Sequence, residues 1–422
     1  MNNWQKVKLI DVADIKLSSI DKKTKAGERK VRLCNYTDVY NNSYISNDLV
    51  DDFMIASCSE SDFEKFILKK GQVAITKDSE KTDDIGIPTY VSEDFENVVL
   101  GYHLSLITPN EDILDGKFLN YWLKTNYAKR YFENNATGSG QRCTLVLDVI
   151  KSIPIYLPSL SVQKQIAKVL FDLETKIELN NKINTELEAI AKALYDYWFI
   201  QFDFPNAGNK PFKSSGGKMV YNEEIKREIP FDWEVKKFNY FDLYQPKTIS
   251  EKDMNDNGKY FVFGANGIVG KYNEYNHSES EIVITCRGNS CGTINRTIPF
   301  SWITGNAMVV KSKVEEVSTE FIYHTIKWSC VERIISGSGQ PQITRTNLQT
   351  VKFVLPNFDI LRKFNEILNP NVEKRFKIFE ENQKLAELRD WLLPMLMNGQ
   401  VTVKEAQEHI NQAAEPQESY QK

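Results

Sequence analysis

The sequence predicts an α+β fold in which one mixed α/β unit occurs twice, each copy followed by a long helix. Three observations predict it. Gly-Ser-Gly-Gln occupies 138–141 and again 337–340, 199 positions later (337 − 138). A tryptophan and a basic stretch open each copy, Trp4-Gln-Lys-Val-Lys and Trp233-Glu-Val-Lys-Lys. A charged segment with Leu and Ile at helical spacing closes each copy, from Val162 to about Trp198 and from about Val372 to Met397. A repeat this long is a domain duplication, since solenoid periods run only ~20–50 residues. At roughly 150 residues per domain, the 422 residues have room for two or three domains, which two copies of one plan fill.

In chain order, GQVAIT (71–76) and HLSLIT (103–108) are short β-branched runs bounded by turn residues, so they predict strands. Residues 118–135 carry a helical apolar pattern into the first Gly-Ser-Gly-Gln, and a strand with a proline, IPIYLP, ends at Pro158. Steps of four and three from Ile166 then reach Leu170, Leu173, Ile177, Asn180, Asn184, Leu187, Ala191, Leu194 and Trp198. That is a heptad seam with two polar positions, which fix register and partner at a cost in stability. Residues 204–232 are rich in Pro, Gly, Ser and Lys and predict an exposed linker with a short turn of structure at its end.

The second copy repeats the order with EIVIT (281–285), AMVV (307–310), a helical stretch over 321–335 and VKFVLP up to Pro356. In its long segment Ile378, Leu385, Leu388 and Leu392 share one stripe, with Pro370 limiting it at the front and Pro394 bending or ending it near the back. Helices at equivalent places in a duplication are expected to pack on each other. The predicted organisation is a unit over 1–160, a long helix over 161–203, a linker over 204–232, a unit over 233–357, a long helix over 358–400 and a flexible tail over 401–422.

Catalytic signatures are missing. Gly264–Gly270 and Lys271 have the wrong spacing for a nucleotide-binding loop, and no G-x-G-x-x-G joins a strand to a helix. Asn369-Pro370-Asn371 is as near as the chain comes to the tetrapeptide of an amino-methylating enzyme. Asp78-Ser-Glu80-Lys81 has the order of a nuclease carboxylate cluster but lacks a preceding partner aspartate. Cys286 and Cys291 have no second Cys/His pair to complete a zinc site, so no metal is expected. No apolar run approaches the ~18 residues of a membrane span and the start lacks a secretory h-region, so a cytoplasmic, non-catalytic binding protein is expected.

The net charge of −4 argues against a chain coated in positive charge, yet the local distribution differs. Residues 285–300 hold Arg287 and Arg296 with no acid, and 333–352 hold Arg333, Arg345 and Lys352 with no acid among many Gln, Asn, Ser and Thr. Arg and Lys neutralise phosphate, Arg reads guanine, and Asn or Gln reads adenine. These are the residue types of a nucleic-acid surface.

The ordered set of features resembles the DNA-sequence-specificity (S) subunit of type I restriction-modification enzymes. The features are the Trp4 and Trp233 starts, Phe263-Gly-Ala-Asn-Gly-Ile-Val-Gly-Lys271, Ser336-Gly-Ser-Gly-Gln-Pro-Gln-Ile343, the joints Leu157-Pro158 and Leu355-Pro356, and the helix starts Gln163-Lys-Gln-Ile-Ala and Leu361-Arg-Lys-Phe-Asn. The first unit departs from the second, with Thr76-Lys-Asp-Ser-Glu80 against Thr285-Cys-Arg-Gly-Asn289 and Arg142-Cys after its Gly-Ser-Gly-Gln. The resemblance implies two target recognition domains reading different sequences, and central and C-terminal spacer helices packed as an antiparallel coiled coil. It implies double-stranded DNA, two methylation subunits and motor-nuclease subunits as partners. S-adenosylmethionine, ATP and Mg2+ would then sit on those partners.

Lys77, Asp78, Gln141 and Arg142 in the first unit, and Asn266, Arg287, Asn289, Gln340, Gln342 and Arg345 in the second, are the expected DNA-contacting residues. Leu173, Ile177, Asn180, Asn184, Leu187, Leu194, Ile378, Leu385 and Leu392 are the expected coiled-coil positions. The alternative is a coiled-coil scaffold with two peptide-binding modules and no DNA role. A divergent nuclease site around Asp78 and Glu80 is a third.

Overall fold

The computed structural model describes residues 4–138, 142–264, 266–337 and 339–414. The chain divides into two compact units, one of residues 1–180 with 381–422 and one of 181–380. Each long helix therefore gives one half to each unit.

In the first unit a five-stranded sheet runs in the order Ala13–Leu17, Leu104–Pro109, Val73–Thr76, Pro88–Val91, Tyr44–Ile45. A three-stranded sheet (Met54–Cys58, Arg29–Cys34, Val98–Leu100) and helices Gly116–Leu123 and Asn126–Asn135 complete it. The predicted helical stretch breaks at Thr125, whose hydroxyl accepts from the Ala128 amide and caps the second helix. The core gathers Phe118, Leu119, Trp122 and Phe132 against Ile166, Leu170 and Leu173 of the first long helix and Leu392 and Leu396 of the second.

The second unit carries a four-stranded sheet, Asp242–Tyr244, Ala307–Lys311, Ile282–Thr285, Ile294–Arg296, and a three-stranded one, Gly267–Tyr272, Tyr260–Gly264, Trp302–Ile303. Its core joins Phe321, Ile322 and Phe353 to Tyr195 and Trp198 of the first long helix and Leu361, Phe364 and Leu368 of the second.

The duplication extends to strand register. Gln5 faces Leu157 in the first unit, and Glu234 faces Leu355 in the second. Leu104 faces Thr76, and Ala307 faces Thr285. Each of these pairs is antiparallel.

The first long helix spans Leu160–Tyr195 and widens into a π-helical turn at Asp196–Ile200. The second spans Phe358–Met397, so Pro370 does not limit it and Pro394 does not end it. Each proline removes one i→i−4 hydrogen bond. Buried neighbours on both sides, Leu368 and Ile378 around Pro370 and Leu392 and Leu396 around Pro394, hold the helical path regardless. On the seam, Leu173, Asn180, Leu187, Ile378 and Leu392 are buried, while Ile177, Asn184, Leu194 and Leu385 are partly buried. Asn180 is 1% exposed and donates to Glu381 Oε2 and Asn382 Oδ1, both at 2.8 Å, forming a polar layer within the first unit.

Two expectations for connecting segments fail. The stretch 204–232 is not a bare linker: Phe204 stacks on Phe212 and on Trp233, and Met219–Asn222 pairs with Arg227–Pro230 as a hairpin. Gly208 and Gly216 lie in the turns of a small packed element, Pro205 and Pro211 bridge each other, and its aromatic residues anchor it. The stretch from Val401 is not free over its first part either, because Val403–Ala414 is a helix whose Ala406 is fully buried in the first unit's core. Thr402 caps that helix by accepting from the Glu405 amide, and the Glu405 carboxylate accepts in turn from the Thr402 amide.

Candidate nucleic-acid interface

In the first unit the chain leaves the central strand at Thr76 and forms the short strand Asp78–Ser79, paired with Cys143–Thr144. Lys77 donates its backbone N–H to the His103 carbonyl at 2.9 Å, and its own carbonyl accepts from the Leu145 amide at 2.7 Å. These bonds bring the segments around Lys77, His103 and Arg142 to one place. Asp78 is 6% exposed and Lys77 8%, and the Lys77 ammonium lies 2.9 Å from Asp78 Oδ2. Asp78 also accepts from Thr144 Oγ1 at 2.7 Å and from His103 Nδ1 at 2.7 Å.

Burial works to raise the Asp78 pKa, but hydrogen bonds from Thr144, Lys77 and His103 outweigh it and hold the carboxyl below its ordinary value. His103 sits at φ 73°, in the left-handed region, so its ring is placed by a strained backbone as well as by Asp78. The Arg142 guanidinium lies against that ring, 2.6 Å from Nδ1 and 2.9 Å from Nε2. Since the Nδ1 proton goes to the carboxylate, Nε2 is the nitrogen able to accept from Arg142.

A cavity of about 560 Å³ opens over this cluster, lined by Tyr36, Tyr40, Ser79, Glu80, Lys81 and Asp84 as well. Tyr36 and Tyr40 are stacked with centroids 5.7 Å apart, and the Tyr40 hydroxyl donates to Asp84. Lys77 and Asp78 are thus the internal support of the cavity. Arg142 and Lys81 are the cations at its surface. Gln141 lies outside the described residues.

The second unit builds the same frame from other side chains. Ile343 N–H donates to the Cys286 carbonyl at 3.0 Å, as Leu145 does to Lys77, and Cys286 N–H donates to the Asn306 carbonyl at 3.1 Å, as Lys77 does to His103. Arg287 therefore stands where Asp78 stands, and Gln342 where Thr144 stands, with Arg287 and Gln342 forming a bridge as the other two do. Arg287, Asn289, Gln340, Gln342 and Arg345 are all exposed around this loop pair. Gly288 at φ 84° makes the turn, and its amide donates to the Pro341 carbonyl. Thr344 caps the helix Arg345–Gln349, which puts Arg345 at its first position. Asn266 is exposed but belongs to the turn between Tyr260–Gly264 and Gly267–Tyr272, in the other sheet.

Arg296, counted with the basic loop from sequence, faces inward. Its guanidinium lies 2.8 Å from Glu188 and 2.7 Å from Glu320 and 3.2 Å from the centroid of the Tyr323 ring. Arg375 joins the cluster at 3.2 Å from Glu320. Burial alone would raise the Glu188 carboxyl, but Arg296 holds it below its usual value, and burial pushes buried His324 beside it down to about 3. Sequence reading missed His103, Thr144 and the Tyr36/Tyr40 pair. Aligning the strand starts HLSLIT and NAMVV would have matched His103 with Asn306, but nothing local marks the tyrosines.

Among the described residues no group of three His, Cys, Asp or Glu is placed to hold a metal ion, and no helix is long and apolar enough to cross a membrane.

The two units thus share one loop frame and carry different side chains on it. The chain belongs to the type I restriction modification DNA specificity domain family, whose sequence model matches residues 1–189 and 230–389. It is a specificity subunit, the non-catalytic, sequence-recognising part of such a system. It is 26% identical over 359 residues to the type I restriction enzyme MjaIX specificity subunit of Methanocaldococcus jannaschii, covering 79% of this chain and 76% of that one. It is 24% identical over 414 residues to the HindI specificity subunit of Haemophilus influenzae, covering 80% and 88%. The crystal structure of the type I S subunit from M. genitalium shares the fold, with a TM-score of 0.56 at 19% identity over 94% of this chain and 97% of that one.

Proposed function

We propose that the chain recognises a bipartite DNA target, one half-site per unit, with an unread stretch whose length the two long helices set. The observation that carries this reading is the repeated loop frame with Asp78 and Thr144 in one unit and Arg287 and Gln342 at the same places in the other. Identical frames give similar approaches to a groove, and different side chains give different base preferences. In the first unit Arg142 and Lys81 meet the DNA, with Asp78 and Lys77 holding the cluster; in the second, Arg287, Asn289, Gln340, Gln342 and Arg345 do so, with Asn266 on a flanking turn.

Two methylation subunits and the motor-nuclease subunits dock on this scaffold in a cytoplasmic assembly. Those partners hold S-adenosylmethionine, ATP and Mg2+, and the methylation subunits flip the target adenine. The first long helix alone, 36 residues at 1.5 Å each, is about 54 Å long, enough to span one DNA turn of ~34 Å.

Methylated-base mapping in cells with and without this chain tests the reading. One bipartite motif that depends on the chain is the expected result, and a continuous motif or none overturns it. Binding to that motif should weaken steeply with salt; salt-independent binding would support a peptide-binding scaffold instead.

A further inference from the structure

The two loop frames carry their arginines at different places. Thr137 and Thr144 exchange backbone hydrogen bonds at 2.9 and 2.7 Å, and Ser336 and Gln342 exchange them at 2.9 and 2.8 Å. The first pair encloses six residues (144 − 137 − 1) and the second five (342 − 336 − 1). Counted from the front, Gly-Ser-Gly-Gln at 138–141 matches 337–340, and from the back Cys143 matches Pro341. Arg142 is therefore the additional residue. Asp78 meanwhile stands where the second unit has Arg287. The first unit has thus exchanged a frame arginine for a carboxylate and carries its arginine on an inserted loop position.

An inserted side chain has no frame contact to place it, and that of Arg142 is 57% exposed. His103 supplies the contact. Arg142 Nη2 lies 2.6 and 2.9 Å from the two ring nitrogens of His103 and 4.0 Å from Asp78 Oδ2. The ring is itself held. Its Nδ1 donates to Asp78 at 2.7 Å, and the Tyr102 ring lies beside it with centroids 4.0 Å apart. The Lys77 ammonium, 4.9 Å from the centroid of the Tyr102 ring, backs that contact. His103 holds a left-handed backbone at φ 73°, a strain that persists only where surrounding contacts impose it and that gathers at functional positions. Asn306, whose carbonyl takes the corresponding bond in the second unit, has no such backbone.

We propose that His103 is the positioning residue for Arg142, holding the guanidinium ready for the base edge it reads in the first half-site. With Nδ1–H committed to Asp78, Nε2 is left to accept from the guanidinium. Ordering a long side chain before DNA arrives removes that cost from binding and fixes which base edge the fork can meet. The proposal rests on the reading that Arg142 meets DNA, and its test has one arm without DNA.

That arm uses the full chain labelled with 15N-histidine. Loss of one signal set in His103→Asn assigns His103 among the four histidines. A protonated Nδ1 and an unprotonated Nε2 whose resonance moves in Arg142→Ala are expected. An Nε2 signal indifferent to Arg142→Ala overturns the proposal whatever the DNA arm gives. In the second arm each variant replaces the parent in cells and methylated bases are mapped. Asparagine reproduces the Nδ1 donor and omits the Nε2 acceptor, so His103→Asn separates support of Asp78 from support of Arg142. It should raise methylation at singly altered first half-sites about tenfold, leave the second half-site as selective as before and leave the melting curve unchanged. Arg142→Ala should give the same relaxation, and the double variant no more than either alone. Additive losses, or an effect of His103→Asn that falls equally on both half-sites with a lowered melting point, would make His103 a structural residue only and overturn the proposal. A continuous motif in the parent would sink the bipartite reading instead, and the 15N arm would still decide the placement of Arg142.

Discussion

Arg287 and Gln342 face each other across an isolated antiparallel bridge, at the positions Asp78 and Thr144 hold in the other unit. Both side chains are exposed, and a guanidinium beside a carboxamide offers bidentate contacts to guanine and to adenine. Arg287→Ala is therefore expected to relax one half-site by about 1–3 kcal/mol and leave the other unchanged. Competition binding against a panel of singly altered sites measures this. Equal weakening on every DNA would make Arg287 a phosphate contact.

Asp78 carries a prediction of opposite kind, because its carboxylate is saturated by groups of its own chain. Its pKa is depressed in the fold, so its stabilising effect is present above the unfolded value near 3.8 and is lost as pH falls through the folded value. Below about pH 4 the parent protein should lose stability more steeply than Asp78→Asn, which has no carboxylate to protonate. At neutral pH the variant should be the less stable one and should bind the first half-site more weakly, since His103 and Arg142 lose their support. Denaturant melts between pH 3 and 7 check the slope, and equal slopes in both proteins would refute it.

The buried charges around Arg296 predict a cost in folding. Arg296→Met leaves Glu188 and Glu320 with reduced compensation, and breaking such a pair from one side costs about 3–5 kcal/mol. Glu320→Gln together with Arg296→Met should recover part of that loss, a non-additivity that a double-mutant cycle in urea reads directly. If Arg296→Met instead left stability intact and weakened DNA binding, the residue would belong to the recognition surface.

The contrast between Arg287 and Arg296 marks what sequence can and cannot supply. Both sit in one acid-free stretch, and local composition treats them alike. Strand register separates them, placing Arg296 opposite Ile282 and against a helix that arrives from over a hundred positions earlier. The strands at 73–76, 104–109, 282–285 and 307–311 were legible because β-branched runs between turn residues are a local signal. The path through Pro370 was not legible, because the packing that holds it comes from distant residues. Lys77 and Asp78 were expected to contact DNA, whereas the fold buries both, beside His103 and Thr144, which no spacing rule ties to them.

The longest-range prediction concerns the helices. Asn180 meets Glu381 and Asn382, and further along Glu188 meets Arg375, so the seven residues Asn180–Glu186 run against Phe376–Asn382 in the opposite direction. Deleting both heptads together removes two turns from each helix while keeping each seam in phase, since heptad spacing is preserved. Seven residues at 1.5 Å amount to about 10 Å, or roughly 3 base pairs of DNA. If the helices set the unread stretch, the deleted protein should methylate a motif with the same two half-sites and a spacer about 3 base pairs shorter. Deleting only one heptad breaks the pairing across the seam and should destabilise the chain without defining a new motif. Methylated-base mapping of the double deletion is the decisive measurement, and an unaltered spacer would show that the helices do not act as the ruler.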